Sequence, residues 1–267
     1  MRIVIITGDG PEHHHVANAI CAAHPVAAIL LCDPPPRRGW KKVLRTSISQ
    51  FVDKAARSLF LRLIGDAAQR DRSLLAVLGP GAGGFAQPEL VEHVGRPKAG
   101  LLAQRVAEIA PDIIAVYGTG IIPDAVLEQA GTVALNMHTG LSPWYRGVQC
   151  AFWPIVEGQP DMVGATVHEC TAKVDGGIIY SRRSATLVRG DDLHAVFGRA
   201  VLVGAQAYVE VVDAAVRGSL AGEAQAHSIG REYRGSMLGL RAELQARRML
   251  RRLSAGFAPE SEGGGRR

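Results

Sequence analysis

The first 32 residues restrict the fold more than any other stretch. RIVIIT (2–7) is a short β-rich run closed by Gly8 and Gly10, and EHHHVANAICAAH (12–24) has the pattern of a helix. PVAAILLC (25–32) then reads as a second strand. A strand, a glycine turn, a helix and a strand form a crossover unit, and its two strands can share a sheet only in parallel. PDIIAVYGTGII (111–122) is a continuous apolar run, as expected of a strand covered on both faces.

The remaining pattern extends this unit. A sharp break at DPPPRRGW is followed by a basic helix over 46–70, which looks inserted and carries Phe51, Ala55, Leu59 and Leu63 on one stripe. SLLAVLG (73–79) suggests a third short strand, and KAGLLAQRVAEIA (98–110) a helix beyond a Gly/Pro-rich loop. A short helix near 123–130 leads to TVALNMH, with further strands expected in GATVHEC (164–170) and GIIYSRRSATL (177–187). Residues 191–218 form a long helical pattern with Asp191 or Asp192 as its N-cap. The expected fold is α/β, a Rossmann-like, mostly parallel sheet with helices on both faces, plus a basic helical C-terminal tail. That tail has a helical piece near 236–253 and ends in APESEGGGRR, which reads as disordered.

Charge is unevenly spread. Residues 231–267 hold nine arginines against four acids, and residues 37–62 hold eight Lys/Arg against Asp53 alone. Such segments suit a polyanionic partner, a membrane surface or a phosphate-bearing substrate, and equally a solvated helix face. No apolar run reaches the ~18 residues of a membrane span, and the first strand is too short for a signal peptide. The four cysteines (Cys21, Cys32, Cys150, Cys170) are scattered, so a reducing cytoplasm is the expected compartment. His13, His14 and His15 are too closely spaced to share one face, and no metal site is expected.

The chemistry concentrates in ALNMHTGLSPWYRGVQCAFW (134–153). In a strand, residues i and i+2 project to one side, so Asn136 and His138 point together while Leu135 and Met137 pack the other face. They end a strand of an open parallel sheet, where ligand crevices form. An Asn-x-His pair alone is weak evidence, and a structural histidine accounts for it as well. Pro143 and Gly147 then bracket a loop bearing Trp144, Tyr145 and Arg146. After GATVHEC comes TAKVDGGIIYS, whose Asp175 precedes two glycines. Amide, imidazole and carboxylate together suit acyl transfer to an amine.

The ordered set Asn136-x-His138, Leu141-Ser142-Pro143-x-Tyr145-Arg146-Gly147, Gly164-x-Thr166-x-His168 and Asp175-x-Gly177-x-Ile179 resembles the folate-dependent formyltransferases. The resemblance is strong over 111–185 and extends at fold level over 1–220, which implies the formyltransferase fold. It implies a catalytic domain at 1–220, interrupted by the basic helix 37–70, and a tail at 221–267. It implies 10-formyltetrahydrofolate as co-substrate, no metal, and attack by a neutral primary amine. Asn136 and His138 would then stabilise the oxyanion, and Asp175 would pair with His138 and handle the amine proton. The pterin would lie against the backbone of Val116, Tyr117, Gly118, Thr119 and Gly120, and of Cys170, Thr171, Ala172, Lys173 and Val174. Acceptor contacts are expected from Gly8, Asp9, Gly10 and His13 and from Trp144, Tyr145 and Arg146, the last two chiefly shaping their loop. His168 is expected to be structural.

The acceptor stays open at this point. The tRNA enzymes that the chain resembles carry a C-terminal β-barrel, and no alternating strand pattern follows the long helix here. A nucleic-acid partner is therefore not expected. The purine-pathway enzymes place a Gly-Ser-Asn phosphate grip where this chain has Gly8-Asp9-Gly10-Pro11. The wording MHTGLSPWYRG…FWPI is most similar to compact nucleotide-sugar N-formyltransferases, so the expected partner is a nucleotide-linked amino sugar. Arg37, Arg38, Lys41 and Lys42 would then guide a diphosphate or dock a membrane surface. The alternatives are formylation of another small amine or of Met-tRNA, hydrolysis of the donor to formate, and a non-catalytic binding protein. The stripe on helix 191–218 fits either a homodimer contact or core packing.

Overall fold

The structure is a computed structural model that describes residues 1–34, 47–98, 100–171, 176–226 and 228–259. The expected crossover unit is present as β1 (Ile3–Thr7), α1 (Pro11–Ala23) and β2 (Val26–Cys32), with β1 and β2 parallel. Pro11 sits in the first turn of α1, where its fixed φ suits a helix start and its missing N–H costs nothing. After β2 come α2 (Ile48–Leu63), α3 (Asp66–Leu78), β3 (Val91–Gly95), α4 (Leu101–Ile109), β4 (Ile113–Tyr117), α5 (Asp124–Leu127) and β5 (Val133–His138). The chain continues through β6 (Tyr145–Gly147), α6 (Trp153–Val156), β7 (Gly164–Glu169), β8 (Ile179–Ser184), α7 (Leu193–Val216), β9 (Arg231–Tyr233) and α8 (Leu240–Leu253).

Seven strands form one sheet in the order β3-β2-β1-β4-β5-β7-β8. Its first five strands are parallel, and β7 and β8 are antiparallel to their neighbours. The two faces are read directly from alternation. Ile3, Ile5, Ile113, Ala115, Leu135 and Met137 pack against α1, α3 and α7, while Val4, Ile6, Ile114, Val116 and Ala134 pack against α4 and α5. A buried aliphatic side chain contributes about 1.5–3 kcal/mol, and in β1 and β4 both faces of the strand contribute.

Helix α7 braces the sheet beneath the end of β5. Asp192 is its N-cap, accepting from the backbone N–H groups of His194 (2.9 Å) and Ala195 (2.7 Å). Gly204 lets the helix approach closely: a Cβ there would fall inside 3.0 Å of Ala165 Cβ and Met137 Sδ. One turn later the buried Tyr208 hydroxyl is shared between the carbonyls of Val116 (3.0 Å) and Leu135 (2.9 Å), tying β4 to β5. By length and composition α7 could cross a membrane, and its burial against sheet and helices accounts for the same composition.

Three expectations are corrected. Residues 73–79 are not a strand: Ser73–Leu78 complete α3, with Leu74 and Leu78 buried against α1 and α7. The third strand is β3, in the stretch taken for a loop, where VEHVG alternates too briefly to stand out. The single helix expected over 46–70 is two, α2 and α3, parted at the left-handed Gly65, and the stripe Phe51, Ala55, Leu59 and Leu63 on α2 is exposed. The opposite face of α2 is held instead, with Arg57 on the buried Glu243 of α8 (3.0 Å) and the Asp53 carboxylate accepting from the Arg241 N–H (3.3 Å). A buried carboxylate must be paired, so the charged side of α2 turns inward and carries the apolar side out. Arg37, Arg38, Lys41 and Lys42 lie outside the described residues, as does APESEGGGRR beyond Pro259.

Residues after 220 are joined to the body. β9 pairs in parallel with β6, and Ala246 and Leu250 of α8 fill a second core with Trp153, Ile155 and Val196. That core supports the 139–156 stretch from below.

Candidate active site

Register places the polar residues in rows. Across the sheet Val116 of β4 pairs with Asn136 of β5, and Asn136 pairs with His168 of β7; one step on, His138 pairs with Thr166. All these side chains emerge on the same face, beyond the cover of α4 and α5. Asn136 is half-buried, whereas His138, Thr166 and His168 are buried.

Each polar group is oriented by a neighbour. His168 Nδ1 lies 2.7 Å from its adjacent carbonyl, that of Glu169, which makes Nδ1 the protonated nitrogen. Its Nε2 is then an acceptor and receives one N–H of the Asn136 amide at 3.1 Å. The amide flip is thereby fixed, and a second N–H remains for a ligand. His138 Nε2 donates to the Tyr145 carbonyl at 3.0 Å. The loop between them is locked by Thr166, whose hydroxyl accepts from Ser142 N–H (2.9 Å) and donates to Gly140 carbonyl (2.7 Å). Gly140 has no room for a side chain: a Cβ would fall inside 3.0 Å of His138 Nε2, Cys150 Cβ and Tyr145 carbonyl oxygen.

These groups open into a cavity of about 370 Å³. The backbone of Val116, Tyr117, Gly118, Thr119, Gly120, Ile121 and Ile122 forms one wall, Cys170 and Thr171 another, and Glu12 and His13 of α1 a third. His13 is seated by the first βα turn: its Nδ1 accepts from Gly8 N–H (3.2 Å) and lies 2.9 Å from Thr7 Oγ1. Gly118, at φ 65°, closes over it, and a Cβ there would strike the imidazole. Burial pushes the His13 pKa down, against an opposing pull from Glu12, which favours the neutral ring.

The three consecutive histidines go separate ways. His13 faces the cavity, His14 bridges Asp9 (2.7 Å) and the Ala82 carbonyl (3.0 Å), and His15 is turned toward Leu78. Among the described residues no cluster of three metal-ligating side chains occurs. All of Val116, Tyr117, Gly118, Thr119, Gly120, Cys170 and Thr171 line the cavity, with Asn136, His138 and His13. Asp175, Ala172, Lys173 and Val174 lie outside the described residues.

Six expected acceptor contacts are placed elsewhere. Gly8 and Gly10 shape the turn under His13, and the exposed Asp9 is engaged by His14. Trp144 is half-exposed with the Arg182 guanidinium 5.4 Å from its ring centroid, and does not line the cavity. Nor does Arg146. The Tyr145 phenol points away, to Glu157 (2.8 Å) and Gln159 (2.9 Å), with its ring stacked on Tyr233. Burial and the Glu157 carboxylate raise its pKa, so Tyr145 contributes its carbonyl and not its hydroxyl. Conversely, Glu12 lines the cavity without having been anticipated. An acid in the first turn of a helix opening a βα unit was the available signal, but it also reads as ordinary dipole compensation.

Comparison with known proteins follows the same line. The family model described as "Formyl transferase" matches residues 1–212. A curated methionyl-tRNA formyltransferase of Enterococcus faecalis is 29% identical over 135 residues, 50% of this chain and 41% of that protein. The match thus spans about two-fifths of that relative's length. Among solved structures, a sugar N-formyltransferase from Shewanella aligns with TM-score 0.59 at 14% identity, covering 94% of this chain and 88% of that one. HypX from Aquifex aeolicus, in complex with tetrahydrofolic acid, aligns with TM-score 0.52 at 15% identity, covering 87% and 29%. With a sheet of this order, a polar row at the end of β5 and a family match over four-fifths of its length, the chain belongs to the formyl transferase family.

Proposed function

We propose that this protein transfers a formyl group from 10-formyltetrahydrofolate to the primary amine of a nucleotide-linked amino sugar. The observation that carries the reading is the paired orientation of Asn136 by His168 and of His138 by the Tyr145 carbonyl, both side chains opening into one cavity. A developing oxyanion requires donors set in advance: Asn136 supplies its remaining N–H, and His138, whose Nε2–H goes to Tyr145, adds a donor at Nδ1 only when the ring carries a second proton.

The surroundings suit the donor. The cavity adjoins a second one of about 370 Å³ through Cys170 and Thr171, lined by Leu127, Ala130, Val133 and Ala134 and by the polar Asp124, Glu128, Thr132 and Glu169. A slot that offers an apolar floor and polar edges, beside the 116–122 segment, fits a flat heterocycle bearing amide-like edges. The donor supplies the formyl carbon. Asn136 donates its remaining N–H to the carbonyl oxygen as charge grows there, and His138 adds a second polar contact. Asp175 receives the proton that the attacking amine releases as the bond to the donor nitrogen breaks, and returns it to that nitrogen.

The sugar acceptor is supported by the Shewanella sugar N-formyltransferase, which aligns over nearly the whole of both chains. A second reading, formylation of Met-tRNA, is favoured by the name of the curated Enterococcus relative. One assay separates them: release of tetrahydrofolate with UDP- and dTDP-linked amino sugars, with initiator Met-tRNA, and with no acceptor. We expect turnover only with an amino sugar. Asn136→Ala and His138→Ala should each lower it by about 10²–10³ with tetrahydrofolate binding retained. Near-normal turnover in either folded variant removes that residue from the mechanism, and acceptor-free release points to a hydrolase.

A further inference from the structure

Helix α2 gives an apolar face to solvent. Ile48, Phe51, Val52, Leu59 and Leu63 are between 50% and 84% exposed. At about 100° per residue they fall within about one third of the helix circumference. The helix cannot hide them by rolling, because its opposite side is fastened. Arg57 holds the buried Glu243 of α8 (3.0 Å), and Asp53 accepts from the Arg241 N–H (3.3 Å). Nor does the helix wait for a partner in order to form: Ser47 caps it, accepting from the Gln50 N–H at 3.3 Å. A contiguous apolar face kept outward by a buried ion pair is a contact surface.

Charge around the stripe selects the partner. The acids of α2 and α8, Asp53 and Glu243, are both held at the junction of the two helices. The exposed charges are Arg62 of α2 and Arg241, Arg248, Arg251 and Arg252 of α8, with the half-buried Lys54 beside the stripe. The sequence entering α2 has the same sign, residues 34–46 holding five Lys/Arg and no acid. A second copy docked here would set these cations against their own kind, since a two-fold contact pairs a surface with itself. A nucleic acid would answer the charge but leave the apolar stripe in water. An anionic lipid surface answers both, because acyl chains take up the stripe while headgroups meet the cations.

We propose that α2 docks the protein on an anionic membrane surface. The helix lies along the interface, with Ile48, Phe51, Val52, Leu59 and Leu63 among the acyl chains. Arg62, at the edge of the stripe, buries its stem and raises its guanidinium to the headgroups, as does Lys54. No membrane-spanning segment is needed for this attachment. The surface is independent of the acceptor's identity: it bears on where the reaction takes place and not on what is formylated.

The test uses the full chain and co-sedimentation with sucrose-loaded vesicles, made of phosphatidylcholine alone or with an equal share of phosphatidylglycerol. We expect binding to the mixed vesicles, much weaker binding to the neutral ones, and release as salt is raised. The double variant Phe51→Ser/Leu59→Ser should bind the mixed vesicles at least about tenfold more weakly, with an unchanged thermal midpoint. Lys54→Gln and Arg62→Gln should each weaken binding by about fivefold. Leu101→Ser, at an exposed leucine of α4 away from this face, should bind as wild type does. Should Phe51→Ser/Leu59→Ser not fold, Ile48→Ser/Leu63→Ser decides the same comparison. No binding to either vesicle, or equal binding by wild type and the stripe variants, overturns the proposal. Loss of binding in the charge variants alone would mark a general polyanion site, and overturns it too. So does sedimentation velocity showing a wild-type dimer that the stripe variants dissociate while their vesicle binding is unchanged, which assigns the face to a second copy.

Discussion

Gly140→Ala adds one methyl group at the most crowded point of the site. The new carbon would lie inside 3.0 Å of three atoms: His138 Nε2, Cys150 Cβ and the Tyr145 carbonyl oxygen. None is the free end of a flexible side chain. His138 and the Tyr145 carbonyl are bonded to each other at 3.0 Å, and Cys150 is buried in the second core. Overpacking usually costs about 1–3 kcal/mol, and three unyielding contacts place this substitution near the top, at about 3 kcal/mol. For a chain of this size that corresponds to a fall of roughly 6–12 °C in thermal midpoint. The cheapest relaxation swings His138 away from Tyr145, so turnover should drop more than stability alone explains. Urea titration followed by tryptophan fluorescence, alongside tetrahydrofolate release, measures both. Gly84→Ala is the control, since that backbone is extended and nothing lies within 4 Å of the added carbon. If Gly140→Ala unfolds at the wild-type midpoint and turns over normally, the His138–Tyr145 contact is not the constraint described here.

Tyr208→Phe should cost about 1–2 kcal/mol by leaving the buried Val116 and Leu135 carbonyls without their shared donor, measured as a lower denaturation midpoint. An unchanged midpoint would mean that those carbonyls find water. Asp192 gives a pH-dependent case. Burial alone would raise its pKa, but hydrogen bonds from Ser73, the Ala195 N–H and Gln69 outweigh it and hold the carboxyl below its usual 3.8. A depressed carboxylate stabilises the fold above that value and loses the contribution as pH falls through its folded pKa. Asp192→Asn keeps the cap but replaces the oxygen that accepts from Ser73 and Gln69, so it should be destabilised by about 1 kcal/mol at pH 7, and the gap to wild type should narrow below pH 3.8. A gap constant from pH 7 to 3 would exclude the carboxylate's charge as its source.

Much of this was legible before any coordinates. The β1–α1–β2 unit and the apolar run at β4 dictate a parallel sheet, and a period of two sends Asn136 and His138 to one side while Leu135 and Met137 go to the other. What sequence could not supply was partnership across the chain. Tyr145 reads from the sequence chiefly as a loop-shaping residue, but what it shapes is set from afar: its phenol is claimed by Glu157, and its carbonyl holds His138. The stripe on α2 follows the expected period, but the way it faces is not local, because Glu243, 186 residues from Arg57, fixes which side turns inward. Glu12 is not legible for a related reason: its place on the cavity wall beside Arg70 depends on residues far along the chain.

The pairing of β6 with β9 bears on when the site comes into being. The carbonyl that orients His138 belongs to Tyr145, and Tyr145 is clamped by Tyr233, through ring stacking and through Glu157, which takes both phenols. A nascent chain released through α7 holds every strand of the main sheet and the helix that braces it, with Asn136 and His138 in place, yet still lacks the strand that steadies their loop. Competence then arrives as a late event of synthesis, after the ribosome has passed residue 233, and the C-terminal third serves as the latch on chemistry encoded near the middle of the chain.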